Sequence, residues 1–158
     1  MIREHLDRDA VATIAVEKIP PEKAKAYSSV LPQAATTTED EVFDIAEISD
    51  KPQQPSGNWA IAARFVFSPA IFAAIRRSRP SRAGELRLTD AIRILLRQGK
   101  KVQAVPLSSA QRRHDIGSFG GYFRAFLEFA LMDRYYGDEV RSYLEEVMAR
   151  KEEWCDDE

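Results

Sequence analysis

Apolar and polar positions along the chain change period several times, and each change marks an element. VATIAVEKI, residues 11 to 19, is rich in β-branched side chains and predicts a strand that Pro20 and Pro21 end. PEKAKAYSSV reads as a short helix or turn leading onward, and LPQAATTTED, residues 31 to 40, as a polar loop. EVFDIAEIS, residues 41 to 49, alternates Val42, Asp44, Ala46 and Ile48 against their neighbours and predicts a second strand, with DKPQQPSGN a loop after it. WAIAARFVF, residues 59 to 67, is an almost unbroken apolar run, the pattern of a strand covered on both faces. Ser68-Pro69 opens a helix, the hydroxyl as cap and the proline in the first turn, which must stop before Pro80. TDAIRILLRQG predicts a helix with Thr89 as cap and Gly99 as stop; KVQAVPL follows as a short strand, and RRHDI is a candidate for another. Helical spacing then runs through Phe119, Tyr122, Phe123, Phe126, Leu127, Ala130 and Leu131, breaks at Gly137-Asp138, and resumes through Val140, Tyr143, Leu144, Val147 and Met148. That stripe reads as core or subunit contact.

Strands alternating with helices predict an α/β layered domain. A chain of 158 residues is long enough to bury a core of its own. Charge narrows the partners: 23 basic against 25 acidic residues give no global attraction to nucleic acid or to an anionic membrane surface. No apolar run approaches the ~20 residues of a membrane span, and MIREHLDRDA has no apolar segment that would act as a secretion signal. The single cysteine, Cys155, allows no internal disulfide, so a reducing cytoplasm is the expected compartment.

Candidate chemistry concentrates in two places. In RRHDIGSFGGYFRAF, Asp115 precedes Gly117, Gly120 and Gly121. A carboxylate at a strand end is a potential oxygen ligand for Mg²⁺, and equally a helix cap or a partner of Arg112 or Arg113. Glycines this dense imply tight backbone geometry or the close approach of something bulky. In Asp50-Lys51-Pro52 an ammonium sits in a proline-stiffened loop after a strand, where it either holds a phosphate or is simply solvated. The basic stretch RRSRPSR, with Arg87 just beyond, is a candidate for binding a phosphate-bearing partner, an anion or RNA, but it contains no interleaved aromatic and reads better as a solvated helix end. His114, Ser108-Ser109 and Cys155 stand too isolated to suggest a metal site or a nucleophile.

Four stretches in order, VATIAVEKIPPEKAKAYSSV, ISDKPQQPSGNWAIAARFVFSPAIF, AGELRLTDAI and HDIGSFGGYFRAFLEFAL, resemble the second half of the bacterial UTP–glucose-1-phosphate uridylyltransferases, members of the sugar-phosphate nucleotidyltransferase superfamily. The resemblance implies a partial Rossmann-like nucleotide-diphospho-sugar transferase sheet with flanking helices over residues 1–118, and a C-terminal helical extension for packing or dimerisation over residues 119–158. It implies a reaction between UTP and glucose 1-phosphate giving UDP-glucose and pyrophosphate, with Mg²⁺ as cofactor. Lys51 matches the lysine of the family's E-K-P loop that holds the sugar phosphate, and Asp50 stands at the glutamate that contacts sugar hydroxyls. Asp115 with Gly117 matches the Asp-x-Gly that supplies one of two metal carboxylates, so Lys51 and Asp115 are the implied catalytic pair. Glu85, Thr89 and Asp90 match the G-E-I-Q-L-T-D segment at the base of the pocket. Ser28 stands where the Y-G-V glycine is usual, and Ala63 replaces the glycine of V-G-R-Y. The family's G-x-G-T-R nucleotide loop and its first metal aspartate have no counterpart in these residues. The isolated chain is therefore expected to be inactive, and its expected partner is the missing N-terminal half or further copies of itself in a homo-oligomer. The rival expectation is a non-catalytic association module that pairs with itself or with a complete paralogue.

Overall fold

The computed structural model describes residues 1–34, 41–53, 57–81 and 84–150. They divide into two compact units, Met1–Arg112 and the residues from Arg113 onward.

The first unit is built around five strands, β1 (Ala12–Lys18), β2 (Ser29–Pro32), β3 (Phe43–Ser49), β4 (Trp59–Phe67) and β5 (Val102–Pro106). Their order, β1-β4-β2-β3-β5, closes on itself through a parallel ladder between β5 and β1, while the other ladders are antiparallel. The expected α/β class stands, with a mixed sheet. Ile14, Val16, Val30, Ile48 and Val102 meet in one buried cluster, since a β-branched side chain packs well on a pleated surface.

Helices α2 (Ala70–Arg77) and α3 (Leu88–Arg97) close this core with Ile71 and Ala74 from one, and Ala91, Ile92 and Leu95 from the other. Gly99 ends α3 with φ +69°, and the amide of Lys100 returns to the carbonyl of Leu95 at 3.1 Å, a turn that a Cβ at Gly99 would strain. A short helix α1 (Ile2–Asp7) precedes β1, and only His5 of it is buried, with Nδ1 2.9 Å from Thr13 Oγ1.

Several expected details differ. The helix after Ser68 begins at Ala70 with Pro69 as its cap residue and no side-chain cap, so the Ser68 hydroxyl does not cap it. Arg87, in extended backbone, precedes α3; Thr89 lies inside the helix, its buried Oγ1 without a partner among the described residues. Leu31 and Pro32 belong to β2 rather than to the loop. β4 is not covered throughout, because Ala63 and Arg64 are exposed. RRHDI forms no strand; the chain is irregular there.

The second unit holds α4 (Phe119–Met132) and α5 (Gly137–Ala149). Ser118 caps α4, its Oγ accepting from the amide of Gly121 at 3.2 Å. Asp133 accepts from the amides of Tyr135 and Tyr136 at 2.8 and 2.9 Å, and the Tyr136 and Tyr135 bonds hold its carboxyl below the usual carboxylate range. The apolar stripe, expected as core or subunit contact, is not core within the chain: Phe119, Tyr122, Phe123 and Phe126 are exposed, as is Phe129 beside them, and Ala125 is the buried residue of α4. No helix among the described residues is long and apolar enough to cross a membrane.

Candidate functional site

Sheet register brings distant residues together at one end of the β2–β3–β4 ladders. Ser29 pairs with Ser49 on one side and Ala60 on the other, so Ser28 and Asp50 lie just beyond the paired ends. The amide of Ile61 donates to the carbonyl of Ser28 at 2.9 Å and fixes that corner to β4. Ser28 Oγ donates to Asp50 Oδ1 at 2.6 Å, while a guanidinium nitrogen of Arg87 lies 3.0 Å from Asp50 Oδ2. Both oxygens of Asp50 are thus engaged by groups from other segments.

Lys51 follows in left-handed backbone, φ +42°, with its side chain exposed. A residue with a Cβ is disfavoured in that conformation, so Lys51 is held in locally strained backbone. Ala63 is a second such residue, φ +53°, in a bulge where the pairing steps from Ile14–Phe65 to Val16–Ile61 and leaves residues 62–64 of β4 opposite Ala15. Glycine adopts this backbone without the clash of a Cβ. Ala63→Gly is accordingly expected to stabilise the chain by about 0.5–1 kcal/mol, the relieved left-handed strain exceeding the extra chain entropy of glycine. A rise in the urea midpoint at unchanged slope would register this, and a lower midpoint would contradict it.

Of the other expected site residues, Glu85 is exposed two positions before Arg87, and its carbonyl accepts from the Ser81 amide at 2.8 Å. Asp90 pairs with Arg93, whose guanidinium also donates to the carbonyl of Ile48 at 3.2 Å. The α3 start is thereby tied to the end of β3, two residues before Asp50. Arg87, read from the sequence as part of a solvated basic stretch rather than as a site residue, is the cation that the structure brings to Asp50.

Asp115 lies in the second unit. Its Oδ1 accepts from the Gly117 amide at 3.1 Å, its Oδ2 lies 3.9 Å from Arg113, and its side chain is 57% exposed. The local roles open to it, turn former and partner of Arg113, are both present, whereas the capping role belongs to Ser118. Among the described residues no group of three or more His, Cys, Asp or Glu is arranged to hold a metal. Asp115 fits as one oxygen ligand, because one of its oxygens is only distantly paired, but it is not a metal centre by itself. Chemically, the first unit offers exposed cations at a strand end, and the second offers the accessible carboxylate of Asp115.

The nucleotidyl transferase family model matches residues 1–131. UTP–glucose-1-phosphate uridylyltransferase of Bacillus subtilis is 28% identical over 151 residues, an alignment covering 96% of this chain and 50% of that protein. The enzyme of the same name from Streptococcus pneumoniae is 27% identical over 145 residues, covering 90% and 47%. Among solved structures, a UTP-bound UGPase from Acinetobacter baumannii superposes with a TM-score of 0.78 at 27% identity, over 91% of this chain and 48% of the other. The chain spans about half the length of the curated relatives it matches.

Proposed function

Because the chain belongs to the nucleotidyl transferase family, we propose that it forms the sugar-phosphate-binding part of an enzyme that joins UTP and glucose 1-phosphate into UDP-glucose and pyrophosphate. The observation that carries this reading is Lys51, an exposed ammonium held in left-handed backbone beside Asp50 at the end of β3. In this reaction the sugar phosphate attacks the α-phosphorus of UTP in line and pyrophosphate leaves. The protein's work is to position the two phosphates and neutralise their charge. Lys51 holds the phosphate of glucose 1-phosphate as a point charge. On this reading Glu85, two residues before Arg87, is the group that would meet the sugar, with Ala63 in the β4 bulge as a further substrate contact. Mg²⁺ supplies charge neutralisation on the phosphates when bound, and Asp115 would be one of its ligands. The reducing cytoplasm suits a chain with one cysteine.

Titration of glucose 1-phosphate into the chain and its Lys51→Ala variant tests the reading. The variant is expected to bind about tenfold more weakly, the worth of one charge-assisted contact to phosphate. Equal affinity in the two proteins would remove Lys51 from the site. Turnover requires a nucleotide loop that these residues do not contain, so release of pyrophosphate by the chain alone would refute this division of labour.

A second reading is favoured by the exposed aromatic side chains of α4, Phe119, Tyr122, Phe123, Phe126 and Phe129. Exposed apolar area of this kind commonly marks an association surface. On that reading α4 and α5 join two copies of the chain, and a strictly monomeric mass by light scattering would exclude it.

A further inference from the structure

We infer that Arg87 is a second phosphate-binding cation at this site, and that Asp50 and Ser28 are positioning residues that hold it there. The inference rests on the reading of Lys51 as the phosphate ligand. Three observations carry it. The Asp50 carboxylate is occupied on both oxygens, by Ser28 Oγ at 2.6 Å and by the Arg87 guanidinium at 3.0 Å. Exposure runs opposite to what recognition of sugar hydroxyls by Asp50 would need. The Asp50 side chain is 24% exposed and the Arg87 side chain 45%, so the acceptor lies beneath and the donors face outward. The exposed Lys51 ammonium belongs to the residue that directly follows Asp50. The surface at this strand end therefore presents N–H donors of two cations, and a donor surface selects a ligand made of acceptor oxygens.

Phosphate is the chemistry that fits. A guanidinium offers donors in a planar fork that matches two phosphate oxygens, while an ammonium contributes a mobile point charge. Asp50 supplies what a flexible arginine lacks, a fixed direction. Ser28 completes it by holding the second carboxylate oxygen, from a corner that the Ile61 amide pins to β4. Ser28, Asp50 and Arg87, from three separate segments of the chain, meet in one hydrogen-bonded set. The serine and arginine are the two groups that bind the aspartate, so the three side chains work as a unit.

Calorimetric titration of the full chain with glucose 1-phosphate and, separately, with inorganic phosphate tests this. Arg87→Gln is expected to weaken both ligands about tenfold, and Arg87→Lys to recover part of the loss. Asp50→Asn is expected to weaken both a few-fold in the wild-type background and to add nothing once Arg87 is glutamine, the signature of a residue that acts through another. Asp50→Glu keeps the charge and recovers part of the Asp50→Asn loss, which a merely structural role would not require. Wild-type affinity in Arg87→Gln, with Lys51→Ala still weakened, overturns the inference and leaves the Lys51 reading intact. An effect of Arg87→Gln on glucose 1-phosphate but not on inorganic phosphate places the guanidinium on the sugar ring, and also overturns it. Absence of binding by the wild-type chain at millimolar ligand overturns the Lys51 reading and this inference together.

Discussion

Gly121→Ala is expected to destabilise the second unit by about 3 kcal/mol, the upper end of the usual cost of overpacking. Propensity alone points the other way, since alanine in a helix is favoured over glycine by roughly 0.5–1 kcal/mol. Contact geometry decides the sign. A Cβ on Gly121 would lie 1.9 Å from the carbonyl oxygen of Asp115 and 3.1 Å from its carbon, and backbone atoms cannot swing aside as a flexible side chain can. To make room, the segment from Asp115 to Ser118 has to lift off the first turn of α4. Lifting it would strain the Ser118 cap on the Gly121 amide and the Asp115 bond to the Gly117 amide. Gly120 supplies an internal control, because a Cβ there meets nothing within 4 Å. Gly120→Ala is expected to stabilise by the propensity difference. Helical circular dichroism followed in urea should move in opposite directions for the two neighbours, and proteolysis ahead of α4 should accelerate only in Gly121→Ala. Matching, stabilised behaviour in both would mean that the turn does not approach the helix as described.

The dense glycines of this segment were legible as a demand for tight geometry, but which glycine carries it was not, because that depends on one carbonyl six residues earlier. The strands and main helices were legible for a different reason: their apolar periods are set by burial, and burial is what β1, β4, α2 and α3 do. Helix α1 escaped notice because it buries His5 and leaves Ile2 and Leu6 exposed, so its sequence carries no apolar stripe facing the core. β2 escaped because four residues ending in proline are too few to show a period. Periodicity in α4 correctly signalled a helix and said nothing of what covers it; its aromatic side chains turn out to be exposed. At the candidate site, the motifs put Ser28, Asp50 and Lys51 on the page singly. Only the register of β2 against β3 and β4 shows that Ser28 and Asp50 touch, and only the path into α3 brings Arg87 to the same carboxylate.

Leu95→Ala carries the other large expected effect, a loss of about 3 kcal/mol from the first unit, within the ~2–5 kcal/mol that deleting a buried leucine costs. Leu95 is 1% exposed and packs in the cluster that contains Ile14, Val30, Ile48 and Ile92, so the vacated volume is lined by side chains from strands on which neighbours already sit. A close-packed sheet and helix cannot collapse onto such a void without shifting α3, which is why the cost exceeds the transfer of the lost atoms alone. Against a typical stability of about 5–15 kcal/mol this is a large fraction, and the melting temperature should fall by roughly 10 °C or more. Phe72→Ala removes a larger side chain from α2, but Phe72 is 61% exposed, and its loss should stay within about 0.5 kcal/mol. The comparison also reaches the site. Helix α3 carries Arg93, which holds the Ile48 carbonyl at 3.2 Å, and its preceding residue is Arg87, which holds Asp50. A helix that shifts into the space left by Leu95 moves both anchors of the β3 end. Phosphate affinity should therefore drop in Leu95→Ala even at temperatures where the chain remains folded, and stay unchanged in Phe72→Ala. Equal thermal losses in the two variants would show that α3 does not seat Leu95 in the core, and unchanged affinity in a folded Leu95→Ala would uncouple the helix from the strand end.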